Sequence, residues 1–230
     1  MAYARKNQAR LTDAEWQQLI DAIGQLHGVG ARSPTYREFV AVHVDAMTTA
    51  EGMSWGVHSM NGMIGRNFLA WHRRYLLDLE QRLRQVHPDV TIPYWDWVAN
   101  PEIPAPLTDR ALLRSWSVRR GTFDPSHLPT GPQVDAVLRQ GGYAAFQSKL
   151  EAIHGWVHNA VGGDMAKARS PNDPLFFLHH SNVDRLWSRW QRSPQGSKPS
   201  NPTEVLQPSP LFGVRVSTVL DIARLGYRYA

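Results

Sequence analysis

His154 and His158 stand four residues apart in a stretch, 143–160, whose apolar residues recur at helical spacing. On an α-helix that separation stacks both imidazoles on one face, one turn apart, where they can grip a single metal ion. By itself the pair also suits an ordinary core or surface helix. The zinc-protease form of the pattern needs Glu directly after the first histidine, and Gly155 stands there instead. The pair becomes restrictive in its company. The chain holds ten histidines and no cysteine, so disulfides, zinc fingers, iron–sulfur clusters and thiol nucleophiles are excluded. Any metal chemistry then falls to imidazole.

His43 and His72 lie mid-way along two further apolar helical faces. A lone histidine in such a place is usually a satisfied core residue. Two of them beside a bis-histidine helix, without neighbouring carboxylates, point to a metal. His179 and His180 are adjacent, so on a helix they point ~100° apart and only one can share the inward face. Asp184 follows one turn after His180, where it could orient a ligand imidazole from behind, the alternative being a capped, salt-bridged helix start. His27 and His87 precede helix-ending residues and His127 falls in a long loop; these three read as structural.

The remaining pattern is mainly α. Thr12-Asp13-Ala14-Glu15 is a capping box opening a helix that stops near His27-Gly28. Ser33-Pro34 opens a second helix carrying Tyr36, Phe39, Val40, His43 and Met47. Residues 48–65 read as loop, and a third helix runs over about 67–86 until Pro88. Residues 91–97 are short and aromatic, which suits a buried extended segment. Residues 99–133 read as an ordered loop with one short helix near 109–116. Long helices follow over about 143–160 and 174–192, then a proline-rich surface excursion over 193–213 and a closing segment that docks on the core. A four-helix bundle is the natural way to bury four such faces.

No apolar run approaches the ~18 residues of a membrane span. The charged start, 1–10, has no apolar core behind it, so no secretory signal is visible and a soluble protein of undetermined compartment is expected. The net charge of +5 is scattered and does not suggest nucleic-acid binding.

Several ordered motifs resemble one family. Tyr36-Arg-Glu-Phe-Val-Ala-Val-His43, Phe68-Leu-Ala-Trp-His72-Arg-Arg-Tyr-Leu-Leu-Asp-Leu-Glu80 and Ile92-Pro-Tyr-Trp-Asp-Trp97 come first. His154 and His158 with Val161-Gly-Gly-Asp-Met165 follow, then Asp173-Pro-Leu-Phe-Phe-Leu-His-His180 with Asp184-Arg-Leu-Trp187, and finally Tyr227-Arg-Tyr229. Together they resemble the tyrosinase and polyphenol oxidase family of type-3 binuclear copper proteins, as in the catalytic core of its bacterial members.

The resemblance implies a helical bundle around two copper ions, each held by three imidazoles. Copper A would take His43, His72 and a loop histidine; copper B would take His154, His158 and His180, the second of the adjacent pair being the one that matches the family's ligand. The family's loop ligand usually lies eight or nine residues before His72, where this chain has Asn61, Gly62, Met63 and Ile64. His58 is the candidate, with Met60 or Met63 as a soft alternative suited to Cu(I) alone. Lacking cysteine, the chain cannot form the thioether that some members attach to this histidine.

The implied reaction is oxidation of phenols and catechols to o-quinones by O₂. Oxidation of o-aminophenols and non-catalytic O₂ carriage are the alternatives. By the same resemblance Glu151 would hold a water acting as base. Gly155 stands where relatives use Asn to help hold it, with Asn159 as a partial substitute, which points away from strong monophenol hydroxylation. Lys167 and Arg169 occupy the region of the family's gate and suggest an open entrance favouring acidic phenols. Residues 1–230 are expected to form one catalytic domain without the C-terminal shielding domain of longer relatives, active without proteolytic release. Some bacterial relatives use a helper protein for copper loading.

Overall fold

The computed structural model describes residues 2–28, 30–31, 33–209 and 212–230. Eight α-helices follow in order among them: α1 (Asp13–His27), α2 (Tyr36–Thr48), α3 (Ala50–Ser54), α4 (Phe68–Leu83), α5 (Arg110–Ser115), α6 (Gly131–Leu138), α7 (Tyr143–Val161) and α8 (Leu175–Gln191). The expected excursion over 193–213 includes Pro210 and Leu211, which lie outside the described residues.

α1 starts at the expected capping box: Thr12 accepts from the Glu15 N–H while the Glu15 carboxylate accepts from the Thr12 N–H. α2 opens two residues later than Ser33-Pro34 suggests. Its cap is Thr35, closed reciprocally with Glu38. Two short helices stand where loop was expected. α3 is capped by the Thr49 side chain and docks on α2. α6 has its own capping box, Thr130 with Gln133, and buries Val134 and Val137.

α2, α4, α7 and α8 form the bundle, with α4 against both α7 and α8 and α1 covering α2 and α4. Five tryptophans, Trp71, Trp95, Trp97, Trp187 and Trp190, have fully buried side chains. Residues 91–97 run extended through the core, where the Trp95 N–H donates to the Leu178 carbonyl at 3.0 Å. A parallel ribbon not foreseen from the sequence joins β1 (Tyr3–Arg5) to β2 (Tyr227–Tyr229), with Tyr3 opposite Tyr227. No helix among the described residues is long and apolar enough to cross a membrane.

The ribbon delivers Arg5, Tyr227 and Tyr229 to one buried carboxylate. Asp184 Oδ1 accepts from Arg73 Nε at 2.5 Å. Oδ2 accepts from the hydroxyls of Tyr227 at 2.7 Å and Tyr229 at 2.5 Å, and from Arg5 at 3.4 Å. Burial pushes this carboxyl up, but Arg73, Arg5 and the two hydroxyls outweigh it and hold Asp184 below its ordinary range. The orienting role expected of Asp184 toward a ligand imidazole is therefore not what the structure displays. A fully buried carboxylate requires cations, and two arginines from distant segments supply them.

Candidate metal centre

Two groups of histidines lie side by side in the bundle: His43, His58 and His72, and next to them His154, His158, His179 and His180. Within each group the offered nitrogens all lie within 4.8 Å of one another. The groups abut, for the His72 and His180 rings stack with centroids 4.1 Å apart.

Backbone carbonyls set the tautomers. His43 Nδ1 lies 2.7 Å from the Ala168 oxygen, His72 Nδ1 2.8 Å from Phe68, His154 Nδ1 3.1 Å from Glu151 and His158 Nδ1 2.6 Å from Met165. A carbonyl oxygen only accepts, so each Nδ1 carries the hydrogen and each Nε2 keeps a lone pair. Two of those lone pairs meet a further ring: His43 Nε2 lies 3.1 Å from His58 Nε2, and His158 Nε2 lies 3.4 Å from His180 Nε2. Among the described residues no carbonyl reaches Nδ1 of His58 or His180, so in the metal-free protein a hydrogen on Nε2 of either ring bridges its pair. The Nε2 atoms of His72 and His154 are buried without any hydrogen-bond partner. Burial holds all these imidazoles neutral, pushing His43 down to about 3 and His158 to about 4, with the other rings adding to the effect around them. The buried Nε2 lone pairs of His72 and His154 have no protein donor among the described residues, and a metal ion is the partner that would satisfy them. This donor set fits a metal at each group, and all-imidazole ligation suits copper in both its common oxidation states.

His179 differs from its neighbours. The Trp97 indole N–H, which can only donate, reaches His179 Nδ1 at 3.0 Å. Nδ1 is thus occupied as an acceptor, and the neutral ring carries its hydrogen on Nε2. No lone pair remains for a metal. His180 turns Nε2 toward the group, while its Nδ1 is buried without a partner.

The turn after α7 supplies one of the orienting carbonyls. Gly163 has φ +61°, and a Cβ there would lie 2.2 Å from the Arg119 oxygen, so only glycine lets the chain double back to present Met165 to His158. Phe176 and Phe68 wall the centre. The Phe176 ring lies 4.1 Å from His180 and 5.1 Å from His43 between centroids, and the Phe68 ring 5.0 Å from His72 and 4.8 Å from His154.

A cavity of about 250 Å³ opens onto the imidazoles, lined also by Met47, Gly155, Asn159, Met165 and Lys167. A larger hollow of about 910 Å³ lies beyond Lys167, between α1, α2 and Trp116, and reaches none of these six rings. The smaller one is the site because four of the six rings, His43, His58, His154 and His158, line it. Of the two cations expected at the entrance, Lys167 lines it, whereas Arg169 sits outside and pairs with Asp164 at 3.3 Å. Glu151 is engaged on both carboxylate oxygens by Ser59, not left free for a water alone. The three histidines read as structural stay apart from the centre: His27 stacks between Tyr36 and Trp116, His87 pairs with Asp21, and His127 lies beside Asp124.

Residues 33–114 and 110–193 match the family profile described as the common central domain of tyrosinase. The tyrosinase of Streptomyces glaucescens is 35% identical to this chain, with 84% of each chain covered. The grixazone synthase of Streptomyces griseus subsp. griseus is 28% identical, covering 83% of this chain and 85% of its own. Among solved structures, a functional unit of octopus hemocyanin superposes with a TM-score of 0.79 at 24% identity, over 99% of this chain and 68% of that one.

Proposed function

Because this chain belongs to the tyrosinase family, whose members here include copper-dependent phenol oxidases, we propose that its centre oxidises o-diphenols to o-quinones with O₂. In general terms it is a tyrosinase-type oxidoreductase with two copper ions as cofactor and a phenol and O₂ as reactants. In our reading His43, His58 and His72 would hold one copper and His154, His158 and His180 the other. Residues 1–230 act as a single catalytic unit. The observation that carries the reading is the pair of adjoining buried imidazole groups, each with its offered nitrogens within 4.8 Å of one another, beside a cavity lined by His43, His58, His154 and His158.

When bound, the copper pair supplies electron transfer between the phenol and O₂. The polypeptide does the rest. Carbonyls of Phe68, Glu151, Met165 and Ala168 fix the rings before any metal arrives, which is the preorganisation a redox centre needs. Phe68 and Phe176 keep water from the inner side. A cavity of roughly 150 Å³ takes benzene, so about 250 Å³ takes one substituted phenol ring and little more. Each catechol gives up two electrons and two protons; O₂ takes four of each to form two waters, so two catechols turn over per O₂. Lys167 places a cation where a ring substituent leaves the cavity, which favours acidic phenols. Gly155 offers no side chain to help hold a water beside His154, and Asn159 is the one amide at the entrance. We therefore place diphenol oxidation ahead of monophenol hydroxylation.

The test is O₂ uptake and quinone absorbance for copper-loaded protein given a catechol, tyrosine and an o-aminophenol. Fastest turnover of the catechol is expected. Faster turnover of the o-aminophenol would move the assignment toward that substrate class. Two bound coppers and reversible O₂ binding with no turnover would make the protein a carrier. Loading purified protein with a copper salt and no other protein also decides whether a helper protein is required.

A further inference from the structure

α7 carries His154 and His158, yet two of its other side chains reach across to the loop 58–65. The Ser59 N–H donates to Glu151 Oε1 at 2.5 Å and the Ser59 hydroxyl donates to Oε2 at 2.7 Å. The same hydroxyl accepts from the Gly65 N–H at 2.9 Å, which closes the base of the loop. One turn earlier on α7, Gln147 donates to the Gly65 carbonyl at 2.8 Å. Gly65 has no room for a side chain, since a Cβ there would lie 2.6 Å from the Ser59 nitrogen. The tip is a two-residue turn at Asn61 and Gly62, both left-handed, with Met60 and Met63 paired across it.

Of the six histidines read as ligands, His58 alone is carried by no helix. Ile64 beside the tip is 74% exposed, so the outer part of the loop gains little from the core. An exposed glycine-containing loop does not hold an imidazole in one place unless its ordering entropy is offset. The Glu151 carboxylate is the group that offsets it, with Oε1 also 3.9 Å from His58 Nδ1.

We propose that Glu151 is a positioning residue for the neighbouring copper: with Gln147 it fastens the 58–65 loop to α7, so that the helix bearing two ligands of one metal also sets His58 for the other. The proposal rests on the copper reading above. It gives Glu151 work on the ligand loop in place of the water-holding role that resemblance implies, and it ties the loading of one metal position to the integrity of the helix that serves its neighbour.

Two measurements test it on variants whose far-UV circular dichroism matches the parent. In the metal-free protein, amide exchange at Ser59 and Gly65 should accelerate in Glu151→Ala and less so in Glu151→Gln, which keeps a carbonyl acceptor for the Ser59 N–H. In a Cu(I) titration competed with bicinchoninate, Glu151→Ala should loosen one of two coppers by about 10–100-fold and leave the other unchanged. Glu151→Gln should recover part of that loss, and His58→Ala should lose one equivalent outright. Unchanged exchange at both amides, unchanged affinities, or equal weakening of both coppers would overturn the proposal. If the parent itself fails to take up two coppers, the copper reading falls, while the amide exchange still decides whether the clamp exists.

Discussion

Replacing Asp184 by Asn separates two roles that one carboxylate could play. In the structure its oxygens take Arg73, Arg5, Tyr227 and Tyr229, and no imidazole is among its partners. Arg5 keeps Glu80 after the substitution, at 3.0 Å. Arg73 keeps the Val219 and Leu220 carbonyls, the Gln191 amide oxygen and the Trp187 ring beneath it at 3.6 Å, but no carboxylate. Its guanidinium is fully buried, so it becomes a buried charge without a counter-ion. Breaking a buried pair from one side costs about 3–5 kcal/mol. With an unfolding entropy of about 2.1 cal/mol/K per residue, a chain of 230 residues loses about 2 °C in Tm per kcal/mol. Asp184→Asn should therefore lower the Tm of the metal-free protein by about 6–10 °C, followed by circular dichroism at neutral pH, and still bind two coppers when folded. A Tm within about 2 °C of the parent would refute the argument from buried charge. A normal Tm with copper bound 10–100-fold more weakly would return Asp184 to the imidazole-orienting role.

Three further outcomes are expected. Metal-free protein should lose stability as pH falls: the free imidazole takes its proton near 6.5, whereas burial holds His158 down to about 4 and His43 to about 3. A depressed pKa means the unfolded chain binds protons first, so the stability from urea unfolding should be level above pH 6.5 and drop steadily toward pH 4, by on the order of 3 kcal/mol for each of the two rings; a level profile over that window contradicts it. Gly163→Ala forces a Cβ to 2.2 Å from the Arg119 oxygen at φ +61°, so a loss of at least about 2 kcal/mol in chemical denaturation is expected, and a loss under about 0.5 kcal/mol would show that the turn adapts. Lys167→Ala should lower kcat/KM for carboxylated catechols by about 2–5-fold, as for a surface-exposed charge pair, while leaving neutral catechols alone; equal effects on both would remove Lys167 from substrate selection.

The histidines on helices were legible because a helix repeats its face: His43, His72, His154, His158 and His180 all sit at apolar spacing, and the structure brings them together. The adjacent pair could not be divided by spacing alone. What separates them is Trp97, 82 residues away, whose indole fixes the His179 tautomer. Asp184 shows the same limit. One turn of separation suggests a partner within the helix, but the demand of a buried carboxylate is met by Arg5 and Arg73, which no local pattern reveals. α3 and α6 escaped for a different reason. Each is short and contains glycine, and α6 also has a proline in its first turn, so breaker residues mask the caps at Thr49 and Thr130. The three-residue strands are too short to show any alternation, and their pairing spans the chain.

That pairing sets an order of events. The acceptor at Asp184 is not saturated until residues 227–229 have left the ribosome and found residues 3–5. The helices can wind earlier, but the interior anion at Asp184 waits for the hydroxyls of Tyr227 and Tyr229 to arrive.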